Sequence, residues 1–324
     1  MRKTFKKMLA IAVSTVTVLS LATGCGDGSS ADTYEIGICQ LVEHPALDAA
    51  TKGFKDALTE KLGDKVKFDE QNAQGESATC ATVMNTFVSK NVDLILANAT
   101  APLQSAANAT ADIPILGTSI TDYATALDIA DFNGLTGANI SGTSDLAPLD
   151  KQAEILHELF PDAKKVGLLY CSAEPNSKYQ VDVITGYLKE YGINCTNYSF
   201  VDSNDIAAVV NSAVSNSDVI YIPTDNTAAS NTEVIDSIAR PAKVPVVAGE
   251  AGICKGCGVA TLSIDYYDLG YTTGLMAYEI LVNGKKVEEM EIEYAPEVSK
   301  QYNEEIAKEL GITIPDDYTA IEAE

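Results

Sequence analysis

The side chains able to do chemistry are few in this sequence and unevenly placed. Only two histidines occur, His44 and His157, and only two arginines, Arg2 and Arg240, beside 46 Asp and Glu. A Ser-His-Asp or Cys-His arrangement would have to use His44, because His157 falls inside an amphipathic helical pattern and reads as a surface residue. No G-x-S-x-G turn is present to expose a nucleophile. Neither G-x-x-x-x-G-K-[ST] nor a G-x-G-x-x-G after a strand occurs, so nucleotide chemistry lacks its phosphate cradle. The one close cysteine pair, Cys254-Lys255-Gly256-Cys257, falls in a Gly-rich turn before a strand rather than at a helix start. That placement speaks against a thioredoxin-like redox role, and a single CxxC lacks the further ligands of structural zinc. Six cysteines besides Cys25 permit disulfides outside the cell, and a small disulfide loop and free thiols both stay open for this pair. The reading is of a chain that is not an enzyme, with neither cofactor nor metal.

What remains is binding, and the polar residues suited to it follow apolar strand-like runs. His44 comes after the first such run. Thr100, with Gln104 one helical turn on, and the pair Thr118-Ser119 end two others; Asn176, Asp225-Asn226 and Glu250 end runs later in the chain. Ligands of open parallel sheets sit beyond the carboxyl ends of strands, beside helix N-termini with unpaired N–H groups. Hydroxyls on one wall and carboxylates on the other suit a zwitterion, its carboxylate on Thr100 and Thr118 and its ammonium on Asp225 or Glu250. The bland alternative is that Asp225 and Thr100 merely cap the helices that follow them. His44 reads either as a ligand-stacking or hinge contact or as a loop residue.

These residues need elements to hold them. From Asp32 onward β-rich runs alternate with helical patterns, the signature of a parallel α/β sheet. Strands are expected over Glu35–Cys39, Lys65–Glu70, Asp93–Ala97, Ile113–Gly117, Lys165–Tyr170, Cys195–Phe200, Asp218–Ile222, Pro245–Ala248 and Val259–Ser263. Helices are expected over Ala46–Leu62, Ala78–Ser89, Leu146–Leu159, Ser177–Tyr191, Asp205–Ser215, Ala228–Arg240 and Asp268–Asn283. In the first, Ala50, Phe54, Ala57, Leu58 and Leu62 form one apolar stripe.

The pattern then repeats. Ile36-Gly37-Ile38-Cys39 with Glu43-His44-Pro45 matches Val166 to Cys171 with Glu174-Pro175-Asn176. Val92 to Thr100, a helix, and Ile113-Pro114 to Thr118 match Ser217 to Asp225, a helix, and Val244-Pro245 to Glu250. Two copies of one unit in the same order imply two similar doubly wound lobes.

Lys and Arg number 22, leaving a net charge of −24. A surface this acidic repels phosphate backbones and anionic headgroups, which argues against nucleic-acid partners. Four of the cations sit in the leader: Arg2, Lys3, Lys6 and Lys7 precede an apolar run, Met8 to Leu21, too short for a comfortable membrane span. Leu21-Ala22-Thr23-Gly24-Cys25, then Gly26-Asp27-Gly28-Ser29-Ser30, resembles a bacterial lipoprotein signal, although Ala22 stands where Leu is usual. The expectation is a signal peptide over 1–24 and a lipidated Cys25 with its tether over 25–31, anchoring the body to the outer face of the bacterial cell membrane. A plain secretory signal with an incidental cysteine is the alternative.

The segment Ile38-Cys39-Gln40-Leu41-Val42-Glu43-His44-Pro45-Ala46-Leu47-Asp48-Ala49-Ala50, with Gly53-Phe54, resembles the opening of a family of ABC-importer substrate-binding lipoproteins. That family includes binders of tryptophan, tyrosine and phenylalanine. The similarity continues through Gln71-Asn72-Ala73-Gln74-Gly75, Asn176-Ser177, Pro223-Thr224-Asp225-Asn226-Thr227 and Asp265-Tyr266-Tyr267-Asp268-Leu269-Gly270. It implies a type I periplasmic-binding-protein fold: two α/β lobes joined by a three-segment hinge, closing on a small ligand and presenting it to an ABC permease and its ATPase. The crossings would fall near Asn139–Gly142, Ser263–Asp265 and Glu291–Ala295, giving one lobe of 32–141 with 266–290 and another of 142–265 with 291–324. A lipid-anchored sensor for a membrane receptor, or a binding protein for a sugar or nucleoside, would use the same lobes.

Overall fold

The computed structural model describes residues 33–322 apart from 296, so the leader and Cys25 lie outside the described residues. The first half runs β1 (Tyr34–Gln40), α1 (Pro45–Leu62), β2 (Val66–Asn72), α2 (Ser77–Lys90), β3 (Leu94–Asn98), α3 (Thr100–Ala109), β4 (Ile115–Ile120), α4 (Tyr123–Leu127) and β5 (Ile140–Ser144). The second runs α5 (Leu149–Leu159), β6 (Lys165–Cys171), α6 (Pro175–Glu190), β7 (Asn194–Phe200), α7 (Ile206–Asn216), β8 (Val219–Ile222), α8 (Asn226–Ala229), α9 (Thr232–Ala242), β9 (Val246–Ala248), α10 (Ala251–Cys257) and β10 (Ala260–Ser263). The chain ends with α11 (Tyr266–Leu281), β11 (Glu293–Tyr294), β12 (Ser299–Tyr302), α12 (Glu304–Leu310) and β13 (Thr319–Ala320).

Two sheets result, one in the order β11-β5-β4-β3-β1-β2 and one in the order β13-β12-β10-β9-β8-β6-β7. All pairings are parallel except β10 with β12. Each sheet carries an apolar cluster on either face. Phe87, Ile95 and Leu103 belong to one side of the first sheet, and Ile36, Phe54 and Leu116 to the other. Leu168, Ile184 and Val219 against Ile220, Ile222 and Ile253 do the same for the second. Central strands covered on both faces must be apolar along their length, which is why β3 and β8 read as unbroken hydrophobic runs. The repeated aspartates before these strands have one shared use. Asp93 accepts the Glu35 N–H at 2.7 Å, and Asp218 accepts those of Lys164 and Lys165 at 2.8 and 2.9 Å.

The chain crosses between the sheets three times: after Ser144, between Ser263 and Tyr266, and between Tyr294 and Ser299. The first sheet therefore keeps β5 and β11, and two boundaries lie a few residues later than the 141 and 290 expected. α11 packs along α1, back on the first lobe. Glycine permits that approach, since a Cβ on Gly270 would stand 1.9 Å from the Ala50 carbonyl oxygen and one on Gly53 2.1 Å from that of Tyr267.

Several local expectations are corrected. The helix expected over Ala228–Arg240 is two, α8 and α9, parted at Ser230 and Asn231. Cys254 and Cys257 lie in α10 rather than in a turn, both buried in the second lobe's core, and every cysteine among the described residues is a free thiol. His157 is half-buried in α5, its ring stacked on that of the exposed Tyr191 with centroids 4.4 Å apart. No helix among the described residues is long and apolar enough to cross a membrane.

Candidate functional site

A narrow cavity with about 10 Å³ of free space lies between the carboxyl ends of the two sheets, far below the roughly 300–1,000 Å³ of common small-ligand sites. The first lobe contributes His44, Ala46, Leu47 and Ser119, and the second Asn176, Thr224, Asp225, Asn226, Ala229 and Glu250. Thr121, which follows β4, and Asp145 and Tyr266, at two of the crossings, complete the lining. No lysine or arginine lines it.

Each second-lobe carboxylate is locked by backbone. Asp225 precedes α8, accepting the Ala228 N–H at 2.8 Å and, with its other oxygen, the Cys171 N–H at 2.6 Å. Glu250 precedes α10 and accepts the N–H groups of Gly252, at 2.6 Å, and Ile253. Both are therefore helix caps, and both also face the cavity. Glu174 accepts the backbone N–H groups of Asn226 at 3.0 Å and Thr227 at 2.9 Å. Burial pushes Glu250 up to about 7 against the pull of its two N–H donors. Asp225 is raised too, by burial first and by the nearby Glu174 carboxylate second. Asp145 accepts the hydroxyls of Thr121 at 3.0 Å and Tyr266 at 2.8 Å, and burial raises it likewise.

The first-lobe wall is neutral and less complete. Ser119 lies where β4 loses register with β5, at φ 56°, in the left-handed region that a non-glycine residue rarely occupies. Its hydroxyl is buried without a hydrogen-bond partner, and the residue lines the cavity. Ala99 enters α3 at φ 99° and offers no side-chain cap, so the first turn of α3 keeps open N–H donors. His44 is 6% exposed and bonds through Nε2 to Asn226 Oδ1 across the cleft at 3.2 Å, while burial lowers its pKa.

Of the residues singled out from the sequence, His44, Ser119, Asn176, Asp225, Asn226 and Glu250 meet in this cavity. Thr100, Gln104 and Thr118 do not line it. Thr100 is the buried first residue of α3, Gln104 donates to the Ala126 carbonyl at 2.9 Å, and Thr118 bonds Thr143 at 3.2 Å behind the wall. Asp145, Thr121, Tyr266 and Glu174 were not anticipated as site residues. Asp145 follows β5, whose sequence Ile-Ser-Gly-Thr-Ser lacks an apolar run because its buried hydroxyls are satisfied internally: Ser141 donates to the Met290 carbonyl and Ser144 to that of Thr121. Glu174 had a signal, since it occupies the position before a Pro-started helix that His44 occupies in the first repeat.

Residues 35–324 match the family model described as ABC transporter substrate binding protein. A tyrosine-binding protein of Clostridioides difficile (strain R20291) is 38% identical over 322 residues, 95% of this chain and 93% of that protein. The structure of an ABC domain in complex with L-Trp from Streptococcus pneumonia is 34% identical, with 88% of this chain and 96% of that one covered and a TM-score of 0.84. The ligand-free, open structure of a substrate binding protein with adhesive properties from Clostridium difficile is 38% identical, with 90% and 100% covered, and its TM-score is 0.69. The two α/β lobes thus have the type I periplasmic-binding-protein fold, and the chain belongs to the ABC transporter substrate binding proteins, the non-catalytic extracytoplasmic components that serve an ABC permease and its ATPase.

Proposed function

We propose that the chain captures a zwitterionic aromatic amino acid between its lobes and delivers it to its permease. The observation that carries this reading is the division of the cavity: its lining holds the buried carboxylates of Asp145, Asp225 and Glu250 and no lysine or arginine, together with the unpartnered Ser119 hydroxyl. An ammonium restores the ionised form of acids that burial has raised, and a carboxylate accepts from the Ser119 hydroxyl. Ser119 takes the part first given to Thr118 and Thr100, neither of which lines the cavity, and Asp145 joins Asp225 and Glu250. The tyrosine and L-Trp named for two relatives support the choice of side chain. The lobes turn about the three crossings; the higher TM-score to the L-Trp complex than to the open, ligand-free relative, despite lower identity, supports a closed arrangement here. Cys25 carries the lipid anchor; detergent phase partition of wild type and Cys25→Ala would separate, and identical partition would refute the anchor.

A melting screen against the twenty amino acids, a hexose and a nucleoside tests the ligand. An aromatic amino acid at about 100 times its Kd should add roughly 2.7 kcal/mol, a rise of several degrees. The chain has fifteen tyrosines and no tryptophan, so bound tryptophan would be the sole indole and would report closure by energy transfer from tyrosine. Should only the hexose or the nucleoside raise the melt, the amino-acid reading falls.

A further inference from the structure

On the aromatic amino-acid reading above, the side chain the cavity prefers turns on the orientation of Asn226. Glu174 Oε2 accepts from the Asn226 side-chain amide nitrogen at 2.8 Å and from its backbone N–H at 3.0 Å. A carboxylate oxygen accepts only, so the amide group is fixed with its NH₂ toward Glu174 and its Oδ1 toward His44. Oδ1 is also only an acceptor, and His44 Nε2 lies 3.2 Å from it. Nε2 must then carry the proton. Burial keeps the imidazole neutral, which leaves Nδ1 as a bare acceptor. Nδ1 is buried, has no hydrogen-bond partner in the protein, and belongs to a residue that lines the cavity. The first helix gives it no use either, since His44 makes no side-chain cap to α1.

We propose that His44 is a specificity-determining residue whose Nδ1 accepts a hydrogen bond from a donor on the ligand's ring, so that the site favours tyrosine or tryptophan, with a hydroxyl or an indole N–H, over phenylalanine. The ammonium is better served by the carboxylates on the other side of the cavity, which leaves the neutral acceptor for a neutral donor. A ring without a donor would bury Nδ1 unsatisfied, and such a mismatch discriminates far more strongly than the loss of apolar contact.

Calorimetric titration of the mature chain with L-tyrosine, L-tryptophan and L-phenylalanine decides the matter. At least one of the first two should bind about tenfold or more tighter than phenylalanine. His44→Leu, which keeps bulk but removes the acceptor, should shrink that ratio to within roughly threefold, chiefly by weakening the donor-bearing ligand. Equal affinity for all three on the unmodified chain overturns the inference without recourse to any variant. A His44→Leu variant that weakens all three by one factor also overturns it, reducing His44 to a cleft latch through Asn226. Binding of a hexose or nucleoside with no aromatic amino acid overturns the parent reading, and this one with it.

Discussion

The two lobes repeat a backbone but finish it differently. His44 and Glu174 stand at equivalent points, each before a helix begun by proline, and both reach Asn226. In the matched sequence Ser119 corresponds to Glu250 and Thr100 to Asp225. In the second lobe these positions are carboxylates that satisfy their own helix N-termini, so that wall is complete by itself. In the first they are neutral, α3 has no side-chain cap, and Ser119 Oγ and His44 Nδ1 have no partner. A duplicated scaffold thus has one wall whose carboxylates are held by their own helix N-termini, and another that keeps two polar atoms, Ser119 Oγ and His44 Nδ1, without partners in the protein. Helix packing differs as well. Gly270 and Gly53 let α1 and α11 touch backbone to backbone, whereas Gly186 on α6 has nothing within 4 Å of its would-be Cβ.

That packing contrast carries the largest expected effect. Gly270→Ala should force α11 off α1 and destabilise the protein by about 3 kcal/mol, because the obstacle is a backbone carbonyl that cannot rotate aside. The same change at Gly186, exposed in mid-helix, should stabilise by roughly 0.5–1 kcal/mol. Thermal melts of the two variants would move in opposite directions; a melt of Gly270→Ala within a degree of wild type would show that the helices have slack.

The carboxylate wall predicts a pH dependence opposite in sign to that of His44 on the neutral wall, whose lowered pKa favours folding as pH rises. Glu250 is raised from 4.5 to about 7 in the folded protein. Folding then favours its protonated form, so its contribution is fully present below about pH 4.5 and is lost as pH rises toward 7. The loss is on the order of 3 kcal/mol across that window. Asp225 and Asp145, raised as well, act with the same sign. In melts without ligand, stability should decline from pH 5 to pH 8, and Glu250→Gln should flatten the decline. An ammonium ligand reverses the balance, so affinity should climb over the same interval. A wild-type melt independent of pH, or a decline unchanged in the Gln variant, would remove Glu250 from this account.

Legibility followed the same division. The parallel strands, the repeat and the strand-end rule were readable because central strands are apolar along their length and the repeated Asp and X-Pro positions mark strand starts. Six of the nine residues chosen as ligand contacts line one cavity for that reason. β5 was not readable, since its buried Ser and Thr residues are satisfied by partners remote in sequence, and Asp145 was lost with it. Thr118 and Ser119 could not be told apart, because a bulge, invisible to period-two counting, turns Ser119 to the cavity and Thr118 to Thr143. Nor could α10: Ala-Gly-Ile-Cys-Lys-Gly-Cys holds two glycines, and only the Glu250 cap and burial against the core make it helical.

The smallest effect is also the most direct test of the contrast between walls. Ser119 Oγ donates to nothing in the protein, so Ser119→Ala removes no internal hydrogen bond and should leave the melt without ligand nearly unchanged. If the hydroxyl serves the ligand carboxylate, affinity should fall by about 1–2 kcal/mol. Asp225→Asn at the other wall should lower both quantities: the amide can accept through one oxygen only, leaving the N–H of Cys171 or Ala228 without its partner, and it carries no charge for the ammonium. Melting and calorimetry on the pair separate the cases. A drop in stability for Ser119→Ala equal to that of Asp225→Asn would mean that the first wall, too, is held together by its polar groups, and the distinction between a finished and an unfinished wall would not stand.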